Sequence, residues 1–169
     1  MLATFIIVAV VAVDQLTKAW IMANFAMYEV MEVIPGLFNL TYLTNKGAAF
    51  GFLNGDHGAW RHLFFVGVAL LAMVMMVFLL REMRHDGNRF LVAIALIFGG
   101  AVGNLIDRLR LGAVVDFLDL YWQGHHWPAF NVADSAITVG VGLFLLAHLI
   151  HPPKKVTHPS GNSLGANTL

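Results

Sequence analysis

The chain has 169 residues, 59% of them hydrophobic and only 12% charged, with ten basic and ten acidic side chains that cancel. Ordinary soluble domains carry roughly 25% charged residues, so the composition is that of an integral membrane protein, and the lack of a basic block leaves no footprint for nucleic acid. No cysteine is present, which excludes disulfides, a thiol nucleophile, thiolate zinc and iron–sulfur chemistry.

The expected fold is membrane all-α, a bundle of four transmembrane helices with a small extracytoplasmic β-rich subdomain. The spans fall at about 2–23, 62–80, 90–107 and 132–150, each near the ~20 residues that cross a ~30 Å hydrocarbon core. The first run has no Lys or Arg before it and no small-x-small site followed by a polar chain, so it reads as a retained helix rather than a cleaved signal. Loop 24–61 carries Pro35-Gly36, the alternating Leu37–Leu43 stretch, then Gly47 and Gly51; alternation with glycine turns favours short strands. Leu63 to Leu80 has no charge and ends in Arg81-Glu82-Met83-Arg84. In the third span, Gly99, Gly100 and Gly103 permit close helix packing. Loop 108–131 holds the β-prone Val114–Trp122 stretch, able to pair with the first sheet or lie in the interface. Tyr121, Trp122, Trp127 and Trp60 suit the headgroup belt. Residues 1–151 then form one membrane domain, and 152–169 a disordered tail.

Four spans put both termini on one side. Arg81, Arg84 and Arg89 crowd the short middle loop and Lys154 and Lys155 follow the last span, against Lys46, Arg61, Arg108 and Arg110 opposite. Charge concentrated beside helix ends has most force in orienting a chain. Both termini are therefore expected in the cytoplasm, with the β-prone loops on the outer face.

Charge beside long apolar runs is costly unless paired or used, which makes it a functional candidate. Asp116 follows the third span and Asp134 opens the fourth, so a short connection can return them to one depth. Two close carboxylates tend to share a proton; the ionised one can take a proton from water while the neutral one polarises a peptide carbonyl. Asp134 also reads as the N3 residue of a helix capped by Asn131, which makes it the member expected to carry the charge. Asp119, three residues beyond Asp116, competes with it, and on a strand the two face opposite sides.

Asp14 and Lys18 have the i, i+4 spacing of a helix salt bridge and are expected to neutralise each other. Asn104, Asp107 and Arg108 form a second polar cluster, the last two holding backbone or each other. Asn45 precedes small residues after a strand, where its amide could hold an extended peptide or simply make a turn. No His-Glu-x-x-His motif accompanies the eight histidines, so no metal is expected and no cofactor. A Ser135/Lys18 protease is a weaker enzyme reading. A proton-coupled transporter with Asp14, Asp107, Asp116 and Asp134 at graded depths is the rival from another class, and a membrane scaffold the third.

In order along the chain, Asp14-Gln15-Leu16-Thr17-Lys18, Thr44-Asn45-Lys46-Gly47-Ala48-Ala49-Phe50, Gly99 through Arg108, Val114-Val115-Asp116-Phe117 and Pro128 through Ser135 resemble one family. It is lipoprotein signal peptidase, the type II signal peptidase of bacteria, an aspartyl endopeptidase of the cytoplasmic membrane. The resemblance covers all but the tail after about residue 151. It implies that Asp116 and Asp134 are the catalytic dyad, that Asn45, Gly47, Asn104, Arg108 and Asn131 line or support the substrate site, and that Asp14 and Lys18 are structural. The implied substrate is a diacylglyceryl-modified prolipoprotein, cut just before its lipidated lipobox cysteine. Membrane phospholipid, a lid around 121–127 and inhibition by the cyclic peptide globomycin belong to the same expectation, and since nothing in the chain demands a partner a monomer is expected.

Overall fold

The computed structural model describes residues 1–47, 58–82 and 87–150; the expected tail lies outside them. Among the described residues four helices are long and apolar enough to cross a membrane: α1 (Leu2–Asn24), α2 (Gly58–Glu82), α3 (Asn88–Leu111) and α4 (Val132–Ile150). Four strands, β1 (Val30–Ile34), β2 (Phe38–Asn45), β3 (Val114–Trp122) and β4 (His125–His126), pair antiparallel in the order β1-β2-β3-β4. The sheet is thus built from the two long loops, both of which emerge at the same end of the helices.

The distribution of polarity is inverted relative to a soluble protein. Phe5, Leu16, Leu71, Phe78 and Leu149 point outward, whereas Asp14 and Lys18 are 0% and 1% exposed. Such a surface requires hydrocarbon around it, and such an interior requires every charge to be paired.

Helix α3 packs against all three other helices, and small residues make this possible. A Cβ on Gly99 would stand 2.9 Å from Val10 of α1, and one on Gly100 would meet the Ala133 carbonyl of α4. Gly140 of α4 reciprocates, its missing Cβ lying 2.7 Å from Ile97 and 2.8 Å from the Ala93 carbonyl. Close backbone approach of this kind replaces the hydrophobic drive that lipid removes.

Helix α3 runs four residues beyond the expected end of the third span, through Arg108 and Arg110, to Leu111. The reason is its terminator: Gly112 adopts φ +72° and donates its N–H to the Arg108 carbonyl, closing the helix in the left-handed conformation that glycine allows. Cationic Arg108 and Arg110 in the last turn suit the negative end of the helix dipole. Helix α2 likewise starts earlier and ends later than the expected 62–80.

One apolar core, Phe90, Ile94 and Ala147, joins α3 and α4 with Met76, Leu79 and Leu80 of α2 against it. A second, Ile21, Val115 and Phe117, lies where the sheet meets α1 and the start of α4, with Phe25, Leu40, Tyr42 and Val132 around it. This second core anchors β3 to the helix ends and fixes the height of Asp116.

Candidate active site

Strand β3 presents Asp116 through its register with β2. Leu40 pairs with Leu118 and Leu43 with Asp116, so Thr41 and Tyr42 oppose Phe117 alone in a β-bulge. After the β3–β4 turn at Gln123-Gly124, the chain returns and docks on β3: the Phe117 and Leu118 amides donate to the Phe130 carbonyl at 3.0 and 2.8 Å, and the Phe130 amide donates to Leu118 at 3.0 Å. That docking delivers Asn131 and the first turn of α4 beside Asp116.

Asn131 caps α4 as expected. Its Oδ1 accepts the Asp134 amide at 2.9 Å, while Asp134 Oδ2 accepts the Asn131 amide at 3.3 Å, the reciprocal arrangement of a capping box. The same side chain reaches Asp116: Asn131 Nδ2 donates to Asp116 Oδ1 at 2.8 Å, with further contacts to the Val115 carbonyl at 3.1 Å and Asn104 Oδ1 at 3.3 Å. One fully buried residue therefore bridges the two carboxylates, its side-chain amide on Asp116 and its backbone N–H on Asp134, so the helix cap and the candidate site share Asn131. Asn104 completes the bridge from α3, donating Nδ2 to Asp134 Oδ1 at 2.7 Å.

Burial, followed by repulsion from Asp134, pushes the Asp116 carboxyl up to about 7, against the opposing pull of hydrogen bonds from Asn45 and Asn131 and the charge of Lys18. A carboxyl that keeps its proton near neutrality can donate it to a reacting group.

Below the carboxylates lies a charged layer. Lys18 Nζ sits 2.9 Å from Asp14 Oδ2 and 2.8 Å from Asp107 Oδ2, and donates to Asn104 Oδ1 at 3.0 Å. The expected Asp14–Lys18 pair is present, but it is half of a triad with Asp107. Asp107 and Arg108 do not pair with each other among these contacts: Asp107 accepts the Val115 amide at 3.1 Å, and Arg108 donates to the Asn104 carbonyl at 3.2 Å. Asp14 also reaches across the bundle, its Oδ1 accepting the Ala133 amide of α4 at 2.9 Å. Gly103 permits this, because a Cβ there would stand 2.6 Å from Asp14 Oδ2. Among the described residues no buried side-chain nitrogen or oxygen lacks a hydrogen-bond partner.

Asp119 is committed elsewhere. It accepts from Asn39 Nδ2 at 2.8 Å and contacts His126 Nδ1 at 2.9 Å, on the opposite face of β3 from Asp116. Ser135 Oγ donates to the Asn131 carbonyl at 2.9 Å, a helix back-bond, and Lys18 has its three donors taken by Asp14, Asp107 and Asn104. Among the described residues no cluster of three or more His, Asp or Glu is arranged to hold a metal.

Asn45 ends β2 beside Asp116; its Oδ1 accepts the Gly47 amide at 2.8 Å in an Asx turn. Gly47 adopts φ +91° and lies against the ring of Phe65, which fills the space a side chain would need. The Arg108 guanidinium lies 5.7 Å from the centre of that same ring, within the fields of Asp134 and Asp116. Sequence reasoning gave no part to Phe65, which sits in an unbroken apolar run with nothing local to distinguish it. Nor did it give one to Gln15, whose Nε2 donates to Asp107 Oδ1 at 2.9 Å and to the Gly103 carbonyl at 3.2 Å. A polar residue next to Asp14 inside a membrane span was the available signal.

The family model described as Signal peptidase (SPase) II matches residues 6–150. The lipoprotein signal peptidase of Geobacter metallireducens is 53% identical over 79% of this chain and 82% of its own, and that of Syntrophotalea carbinolica 51% identical over 82% and 84%. A solved bacterial membrane enzyme superimposes with a TM-score of 0.78 at 38% identity, covering 87% of this chain and 92% of that one. Four membrane-length helices, an interior of paired charges and two bridged carboxylates thus coincide with a match along nearly the whole described length, and the chain belongs to the signal peptidase II family of membrane peptidases.

Proposed function

We propose that this peptidase removes signal peptides from diacylglyceryl-modified prolipoproteins, cutting just before the lipidated cysteine, with Asp116 and Asp134 as the catalytic dyad. The observation that carries the reading is the Asn131 bridge: its side-chain Nδ2 donates to the Asp116 carboxylate and its backbone N–H to the Asp134 carboxylate, while Asn104 holds Asp134. This fixes the pair without saturating the oxygens of either.

Asp134, held by the α4 N-terminus and the Asn104 amide, serves as the base and takes a proton from water. The water oxygen bonds to the scissile carbonyl carbon while neutral Asp116 gives its proton to the carbonyl oxygen. Collapse of the tetrahedral intermediate breaks the C–N bond; the proton on Asp134 passes to the departing amine of the lipidated cysteine, and one hydroxyl of the intermediate returns its proton to Asp116 as the product carboxyl forms. No covalent enzyme intermediate forms. Asn45 and Gly47 at the end of β2 offer polar backbone and amide groups to an extended peptide, and Arg108 faces the same space. The acyl chains remain in lipid against the apolar flank of the helices. Both termini lie in the cytoplasm and the sheet on the outer face of the cytoplasmic membrane, with the exposed Trp122 and Trp127 at the headgroups. The enzyme works as a monomer, and globomycin competes for the same groove.

The test is cleavage of a diacylglyceryl-cysteine lipobox peptide by purified enzyme in detergent. Asp116→Asn and Asp134→Asn each lose at least about a thousandfold in kcat, as removal of a member of a concerted catalytic unit does, while Asp119→Asn stays active. Cleavage that survives either of the first two changes removes that residue from the dyad.

A further inference from the structure

We infer that Lys18 is a positioning residue for hydrolysis, its ammonium fixing which end of the Asn104 carboxamide faces Asp134. The inference rests on the dyad reading above.

An ammonium has three donors and no acceptor. Lys18 is 1% exposed, and its acceptors are Asp14 Oδ2, Asp107 Oδ2 and Asn104 Oδ1. The two carboxylates hold the ammonium in place from α1 and α3, so the group facing it from Asn104 must be oxygen. The amide nitrogen is thereby turned outward, and it is this nitrogen that donates to Asp134 Oδ1 at 2.7 Å. A flipped amide would set N–H groups against the ammonium and a carbonyl-type oxygen against a carboxylate, two repulsive contacts in a dry interior. Asn131 Nδ2 reinforces the polarity by donating to the same Asn104 Oδ1 at 3.3 Å. Lys18 thus acts on Asp134 through one intervening side chain, and its charge rather than its bulk carries the effect.

The cluster of Lys18, Asp14 and Asp107 carries a net charge of −1. Lys18→Met alone leaves two buried carboxylates without their counterion, so the folded yield can fall for that reason. Lys18→Met with Asp107→Asn keeps the net charge at −1 and keeps an acceptor for the Val115 amide. It removes the ammonium without changing the net charge of the cluster. Cleavage of the lipobox peptide is measured for both variants, for Asn104→Leu, and for Asn104→Leu combined with Lys18→Met and Asp107→Asn, each normalised to monodisperse enzyme by size-exclusion chromatography in detergent. The charge-balanced variant is expected to lose about tenfold or more in kcat with KM within about twofold, as an interaction realised in the transition state requires. Its loss is also expected not to add to that of Asn104→Leu, because both changes break one relay. An unchanged kcat in the charge-balanced variant, or losses that add in full, overturns the inference. Asp116→Asn and Asp134→Asn run alongside: if either cleaves, the dyad reading falls and takes the inference with it, whereas two inactive dyad variants beside a fully active charge-balanced variant overturn the role of Lys18 alone.

Discussion

Asp116 keeps its proton up to about pH 7 because burial and the Asp134 charge both disfavour its ionised form. In the proposed mechanism hydrolysis needs that proton, so kcat/KM is expected to fall as pH rises through this value. The side-chain hydrogen bond from Asn45 favours the ionised form; Asn45→Ala removes it, and the alkaline limb of the kcat/KM profile moves up by about half a unit to one unit. A limb that stays or moves down refutes this. Stability carries the same sign. The unfolded chain releases this proton near 3.8 and the folded one near 7, so the folded state holds more protons in between and its stability drops as pH rises across that window. In Asp116→Asn the decline of Tm between pH 4 and 7 is shallower. At this scale the sequence was informative: Asp116, Asp134 and the Asn131 cap were readable from their placement at span ends. Partners from distant elements were not. Nothing within four residues of Lys18 announces Asp107, and the Asp14–Ala133 bond links positions 119 apart.

The helices meet through glycine, and the substitutions with the clearest consequences lie there. Gly140→Ala drives a methyl against Ile97 and the Ala93 carbonyl; backbone cannot yield cheaply, so the variant loses about 1–3 kcal/mol. Gly142, two residues on, has nothing within 4 Å of its Cβ position, and Gly142→Ala stays within about 0.5 kcal/mol of the parent. Thermal unfolding in one detergent compares the pair, and equal losses would refute the packing account. Element boundaries were read to within a few residues. The end of α3 was placed four residues short because Arg108 and Arg110 look like the start of a loop when hydropathy alone is followed. The stop is set instead by Gly112, a turn residue whose φ no hydropathy pattern reports.

At the scale of the whole molecule, the helix bundle buries the charges of Asp14, Lys18 and Asp107 and turns apolar side chains outward, and the sheet gathers at one end of the bundle. The chain has no cysteine, so single cysteines probe sidedness without a background. His125→Cys in β4 reacts with an impermeant maleimide from outside the cytoplasmic membrane, and Asn88→Cys at the start of α3 only after permeabilisation. The reverse pattern refutes the orientation given to the sheet. Composition made the membrane bundle legible, and strand alternation made the sheet legible. How closely α3 lies against α1 and α4 was not, because the glycines that permit it show only that contact is possible. The spread of the site over α1, β2, α3, β3 and α4 governs when the enzyme becomes dangerous. Its earliest contributor is Asp14 and its latest Asp134, and the Asp14 carboxylate ties down the first turn of α4. On the dyad proposed above, a chain inserted into the bilayer span by span holds no hydrolytic pair until its fourth helix has entered and docked.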